Sequence, residues 1–148
     1  MAVEEGAPAP DFTLMSDARE EVTLSSLRGQ PVVLYFYPRD DTTGCTTQAC
    51  GIRDAYDEFR DRGAIVLGVS IDDVDSHTAF KEKHSLPFTL LADPDKIAGE
   101  AYGVTQEDRE TLRRSTFVIG ADGTVKRALP QVDPATHADE VLAALDAA

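Results

Sequence analysis

Two apolar runs, Val32 to Tyr37 and Ala64 to Ile71, constrain this chain more than any other feature. Neither alternates polar with apolar residues, so each reads as a strand covered on both faces, the condition of parallel strands between helical layers. Between them Ala49, Ile52, Tyr56 and Phe59 recur at intervals of three and four. That spacing predicts one helix of about four turns continuing to Arg62, with Gly63 as its stop. Strand, helix and strand make a β-α-β unit.

The flanking segments extend this unit. Pro8-Ala9-Pro10-Asp11-Phe12-Thr13-Leu14 is a stiff leader entering a short strand, and Val22-Thr23-Leu24 supplies a second. The two form an N-terminal hairpin, expected to pack beside the main sheet rather than in it. Ser25 to Gly29 reads as a short turn-like helix. Val74 to His84 is a mostly polar helix carrying Phe80, and Pro87 to Leu91 is a third core strand. Asp93-Pro94 opens a helical piece that Gly103 closes. Thr116–Ile119 and Thr124–Arg127 flank Asp122-Gly123, a hairpin signal. Asp133-Pro134 caps a last helix with Ala138, Val141, Leu142 and Leu145 on one face. This order predicts an α/β, thioredoxin-like fold: a central mixed sheet flanked by helices, with an N-terminal hairpin extension, all in a single domain over residues 1–148.

Composition narrows the function classes. With 14 basic against 27 acidic residues the chain carries a net charge of -13. Such a surface repels phosphate backbones, which argues against nucleic-acid binding. No apolar run approaches the ~20 residues needed to cross a bilayer. Met1-Ala2-Val3-Glu4-Glu5 lacks the basic start and apolar middle of a signal peptide, so the expected location is the cytoplasm. In that setting the two cysteines read as catalytic or redox-sensing rather than as a structural staple. Two thiols cannot close a four-ligand zinc site, and His77, His84 and His137, widely spaced, are expected to be solvated bystanders. No Gly-rich nucleotide loop or flavin fingerprint is present, so no cofactor is expected.

The chemistry concentrates where the first apolar run ends. A loop opened by Pro38 delivers Cys45 at the start of the predicted helix, and Cys50 lies five residues on. Unpaired N–H groups and the positive end of the helix dipole favour thiolate over thiol there, and the thiolate is the nucleophile.

Pro38-x-x-x-Thr42-x-x-Cys45 resembles the active-site signature of the peroxiredoxins. The longer run Asp40-Asp41-Thr42-Thr43-Gly44-Cys45-Thr46, with Cys50, resembles the peroxiredoxin Q or bacterioferritin-comigratory-protein branch. The likeness extends from Pro8-x-Pro10-Asp11-Phe12 to the last helix. One departure is visible: the branch carries Pro immediately before the Gly, where this chain has Thr43. That exchange loosens the loop but removes no reacting group.

The resemblance implies a thiol-dependent peroxidase acting on hydrogen peroxide and organic hydroperoxides. Cys45 would be the peroxidatic nucleophile. Thr42 would offer its hydroxyl to sulfur and peroxide, Gly44 and Cys45 their backbone N–H groups, and Pro38 would shield the thiolate from water. Arg114, leading into the strand expected beside the Val32 strand, would supply the cation and hold the peroxide, with Arg113 and Arg39 as surface charges. Attack would leave a sulfenic acid, for which Cys50 is the expected resolving thiol. Residues i and i+5 of a helix lie roughly 8 to 9 Å apart between Cα atoms, whereas a disulfide needs less than about 7 Å. The first turns must therefore unwind before the bond closes. The family further implies thioredoxin or a similar dithiol as reductant, and a monomer. Two other readings compete with this one. A general disulfide exchanger is disfavoured by the lack of Cys-x-x-Cys, and a redox-switched binding protein or holdase would expose Ile52 and Phe59 on unwinding.

Overall fold

The computed structural model describes residues 3–147; Met1, Ala2 and Ala148 lie outside them, so the reading of the first five residues is described only from Val3. Strand β1 (Thr13–Ser16) pairs antiparallel with β2 (Glu21–Thr23), and a 3-10 turn follows over Leu24–Leu27. Strand β3 (Val32–Phe36) leads to helices α1 (Thr43–Asp54) and α2 (Tyr56–Asp61), and these to strand β4 (Ile65–Ser70). Helix α3 (Val74–His84), β5 (Thr89–Ala92) and α4 (Ile97–Ala101) come next, then β6 (Ser115–Ile119), β7 (Val125–Leu129) and α5 (His137–Ala147).

The strands form one sheet in the order β2-β1-β5-β4-β3-β6-β7. Strands β3, β4 and β5 run parallel, and β6 returns antiparallel against β3. Every residue of β3 is buried, as its unbroken apolar run requires. The sheet is therefore mixed and thioredoxin-like, as the element order predicts, and Gly123, at φ +86°, takes the left-handed turn of the β6–β7 hairpin.

Three expectations are corrected. The N-terminal hairpin is part of the sheet: Met15 pairs with Ala92 and Ser16 with Leu91. An unpaired β5 edge would leave its backbone groups open, and β1 closes it. Secondly, the helix after the loop is not continuous. It breaks at Ala55, whose ψ of 11° leaves the helical range, and α2 restarts with the Glu58 N–H bonded to the Ala55 carbonyl. The break turns Phe59 fully into the core beside Ala64 and Val66. Thirdly, His77 and His137 are not solvated: both are wholly buried. His84 is only partly buried and lies 3.2 Å from an Asp41 carboxylate oxygen.

Two apolar layers sandwich the sheet. On one side Cys45, Ala49 and Ile52 of α1 pack with Val141, Leu142 and Ala144 of α5 and with Tyr35, Tyr37 and Phe88. On the other, Phe36, Tyr102, Leu112 and Phe117 surround the opposite face of β3. No helix among the described residues is long and apolar enough to cross a membrane.

Candidate active site

The parallel β3 ends in a loop that α1 must follow, so residues 37–42 lie at the carboxyl end of the central strands. Thr42 is extended (φ −84°, ψ 158°) and caps α1, whose first ladder bond runs from the Thr46 N–H to the Thr42 carbonyl. The N–H groups of Gly44 and Cys45 precede that ladder, which leaves them pointing from the positive end of the helix. Cys45 is 1% exposed, Cys50 is partly exposed, and both are free thiols. Both lie within α1 as regular helix, so the separation argued from helix geometry applies to this state.

Register places the cation. Ser115 stands opposite Phe36 across the β3–β6 ladder, so Arg114 emerges next to the point where β3 gives way to the loop. Its Nη1 lies 3.5 Å from the Cys45 sulfur and donates to Gln48 Oε1 at 2.6 Å. Gly44 makes room for it: a Cβ there would lie 3.0 Å from Arg114 Nη2. The other two arginines are elsewhere. Arg39 pairs with Glu110 at the surface, and Arg113 lines an open cavity of about 300 Å³ together with Pro38, Arg109, Leu112, Arg114 and Val132. Thr42 is not turned to the sulfur in this state; its hydroxyl donates to the Arg39 carbonyl at 3.1 Å.

A buried polar layer, invisible to the motif, lies beneath the thiol. The Tyr35 ring sits over Gly68, where a Cβ would come within 2.8 Å of it. Thr116, opposite Tyr35 in the ladder, has its hydroxyl 2.6 Å from His137 Nε2. Burial first, and then the charge of Arg114, pull His137 down to about 4, so its ring is neutral at pH 7. Burial raises Tyr35 well above the ordinary phenol range, reinforced by the negative charge available to Cys45. Tyr35 Oη, Gln48 Nε2 and His137 Nδ1 are buried without a hydrogen-bond partner among the described residues. Of these, Gln48 had a readable signal, since it follows Cys45 by three residues on one helical face. Tyr35 and His137 had none, because their roles depend on strands and helices distant in sequence.

Residues 6–128 match the family model described as AhpC/TSA family. The peroxiredoxin bcp of Coxiella burnetii is 42% identical over 151 residues, covering 98% of this chain and 100% of that protein. Peroxiredoxin Q of Suaeda salsa, a chloroplastic protein, is 44% identical over 142 residues, and there this chain spans 66% of the relative's length. The solved structure of Xanthomonas campestris bacterioferritin comigratory protein superposes with a TM-score of 0.90 at 35% identity, covering 97% of this chain and 98% of that one. The chain therefore belongs to the AhpC/TSA family and is a peroxiredoxin, a thiol-dependent peroxidase. Within the family it falls in the peroxiredoxin Q or bacterioferritin-comigratory-protein branch.

Proposed function

We propose that this peroxidase works through Cys45 as the attacking thiolate and Cys50 as the resolving thiol, recycled by thioredoxin or a similar dithiol in the cytoplasm, with the chain acting as a monomer. The Arg114 guanidinium beside the Cys45 sulfur carries the reading. A fixed cation at 3.5 Å favours the anionic nucleophile and stabilises charge that grows on the peroxide as the O–O bond lengthens.

Cys45 sulfur attacks one peroxide oxygen; the S–O bond forms, the O–O bond breaks, and the leaving oxygen takes a proton to become water or an alcohol. Cys45 is now a sulfenic acid. Cys50 sulfur attacks Cys45 sulfur, the S–S bond forms, and the sulfenic oxygen leaves as water. An external dithiol then reduces the disulfide through a mixed disulfide and restores both thiols. Because α1 is wound when both cysteines are free, its first turns unwind for the second step and rewind after the third.

Hydrogen peroxide and organic hydroperoxides are the substrates in this reading. The cavity next to Arg114, with Leu112 and Val132 beside its arginines, gives both polar and apolar contact to a short alkyl group, and the Xanthomonas relative was solved for insight into its alkyl peroxide reduction activity. Pro38 removes an N–H from the loop beside the thiol, and Thr42 joins the peroxide once its hydroxyl leaves the Arg39 carbonyl. The test is peroxide consumption with a dithiol donor. Turnover that vanishes in Cys45→Ser supports the reading; redox-dependent partner binding without turnover would replace it.

A further inference from the structure

Asp40 lies in the loop between Pro38 and Thr42, and its side chain is 3% exposed, yet no lysine or arginine among the described residues pairs with it. What meets it instead is His77, wholly buried on α3, with Nδ1 at 2.7 Å from Asp40 Oδ2. The other ring nitrogen, Nε2, lies 2.9 Å from the Leu91 carbonyl of β5. A carbonyl only accepts, so Nε2 carries a hydrogen. A carboxylate oxygen and a ring nitrogen at such a distance then share one proton, whichever of them holds it. The contact is a direct hydrogen bond.

Every other bond to Asp40 comes from a fixed part of the fold. Tyr37 Oη donates to Oδ1 at 2.5 Å, and Ser76 Oγ to Oδ2 at 2.9 Å. The Asp40 N–H donates to Asp72 Oδ2 at 2.8 Å, which also accepts from Ser70 Oγ. These groups belong to the end of β3, the β4–α3 turn and α3; none is on α1. Past the cysteines, Arg53 Nη1 donates to the His84 carbonyl at 2.7 Å, at the far end of the same α3. Helix α3 thus grips the chain on both sides of the segment that holds Cys45 and Cys50.

We propose that His77, through the proton shared with Asp40, is a positioning residue of the peroxidase: it keeps Pro38 to Asp40 still while residues 42–52 wind and unwind. This rests on the roles of Cys45 and Cys50 given above. Without the grip, each rewinding would return Cys45 to a loop no longer set to receive peroxide, and small misplacements of reacting groups cost heavily in rate.

The two side-chain amides divide the ring's functions. Asparagine at 77 places an amide where Nδ1 stood and still reaches Asp40; glutamine reaches towards Leu91 and gives up Asp40. Single-turnover oxidation by hydrogen peroxide is measured on the full chain for wild type, His77→Asn, His77→Gln and Ser76→Ala, with alkylation by iodoacetamide alongside. Expected are a loss of about tenfold or more in His77→Gln, a rate within about threefold of wild type in His77→Asn, and alkylation within about twofold throughout. Ser76→Ala, which deletes only one hydroxyl, should slow oxidation about threefold and carries the test if His77→Gln does not fold. Equal peroxide rates in Gln and Asn variants, or parallel losses in oxidation and alkylation, would overturn the proposal while leaving the peroxidase reading intact. Wild type oxidised no faster than an ordinary thiol would instead overturn that reading, and this one with it.

Discussion

Gly44 and Arg114 stand in close approach: a Cβ on Gly44 would lie 3.0 Å from Arg114 Nη2, so the guanidinium would have to shift by a few tenths of an ångström to admit one. The guanidinium cannot give way freely, because its Nη1 is held by Gln48 Oε1 at 2.6 Å as well as standing beside Cys45. Gly44→Ala should therefore displace the cation from the sulfur and lower kcat/KM by about tenfold, with little loss of thermal stability. Steady-state kinetics beside a melting curve checks this; an unchanged kcat/KM would show that the close approach does not matter.

Gln48 is buried and gives Arg114 its strongest partner. Gln48→Leu keeps the volume and removes the acceptor, so the guanidinium loses its orientation and peroxide turnover should fall about tenfold or more. Gln48→Glu keeps an acceptor and should retain more activity than the Leu variant. The order Gln, Glu, Leu in kcat/KM is the expected result.

His137 gives a pH dependence whose sign is fixed. Its folded-state value is lowered to about 4 by burial and then by Arg114, against about 6.5 when unfolded. The unfolded chain binds the proton first, so stability is fully present above about 6.5 and is lost as pH falls towards 4. That window corresponds to about 3 kcal/mol. Urea titrations across it should show a slope that His137→Gln flattens.

Thr43 is exposed and occupies the first position of α1, after an extended Thr42. Proline suits that position, since its fixed φ matches the helix and its missing N–H lies before the ladder. Thr43→Pro should raise stability by about 0.4–1 kcal/mol by stiffening the unfolded chain. Chemical denaturation measures it.

If α1 unwinds to bring Cys45 and Cys50 together, the amides of residues 46–53 should exchange much faster in the disulfide form than in the reduced form. Equal protection in the two forms would contradict the order change. Arg53, held on the His84 carbonyl, should mark where the difference ends.

The parts of this molecule legible in sequence are those fixed by local chemistry. Val32 to Phe36 could only be a covered strand, Gly123 could take the turn its φ requires, and Cys45 could be placed at a helix start before any fold was known. What escaped depends on partners far along the chain. The pairing of Met15 with Ala92 leaves no trace in either segment alone. Alanine is a good helix former, so nothing at Ala55 signals the break that seats Phe59. His77 sits on a polar helix and looks solvated until Asp40, 37 residues away, is brought against it.

The most direct test is intact mass and free-thiol count of the reduced protein after one equivalent of hydrogen peroxide, with Cys45→Ser and Cys50→Ser in parallel. The roles proposed for the two cysteines require wild type to lose both thiols and two hydrogens, Cys45→Ser to stay unreacted, and Cys50→Ser to stop at a sulfenic acid. Slow and equal oxidation of both thiols in wild type would contradict them.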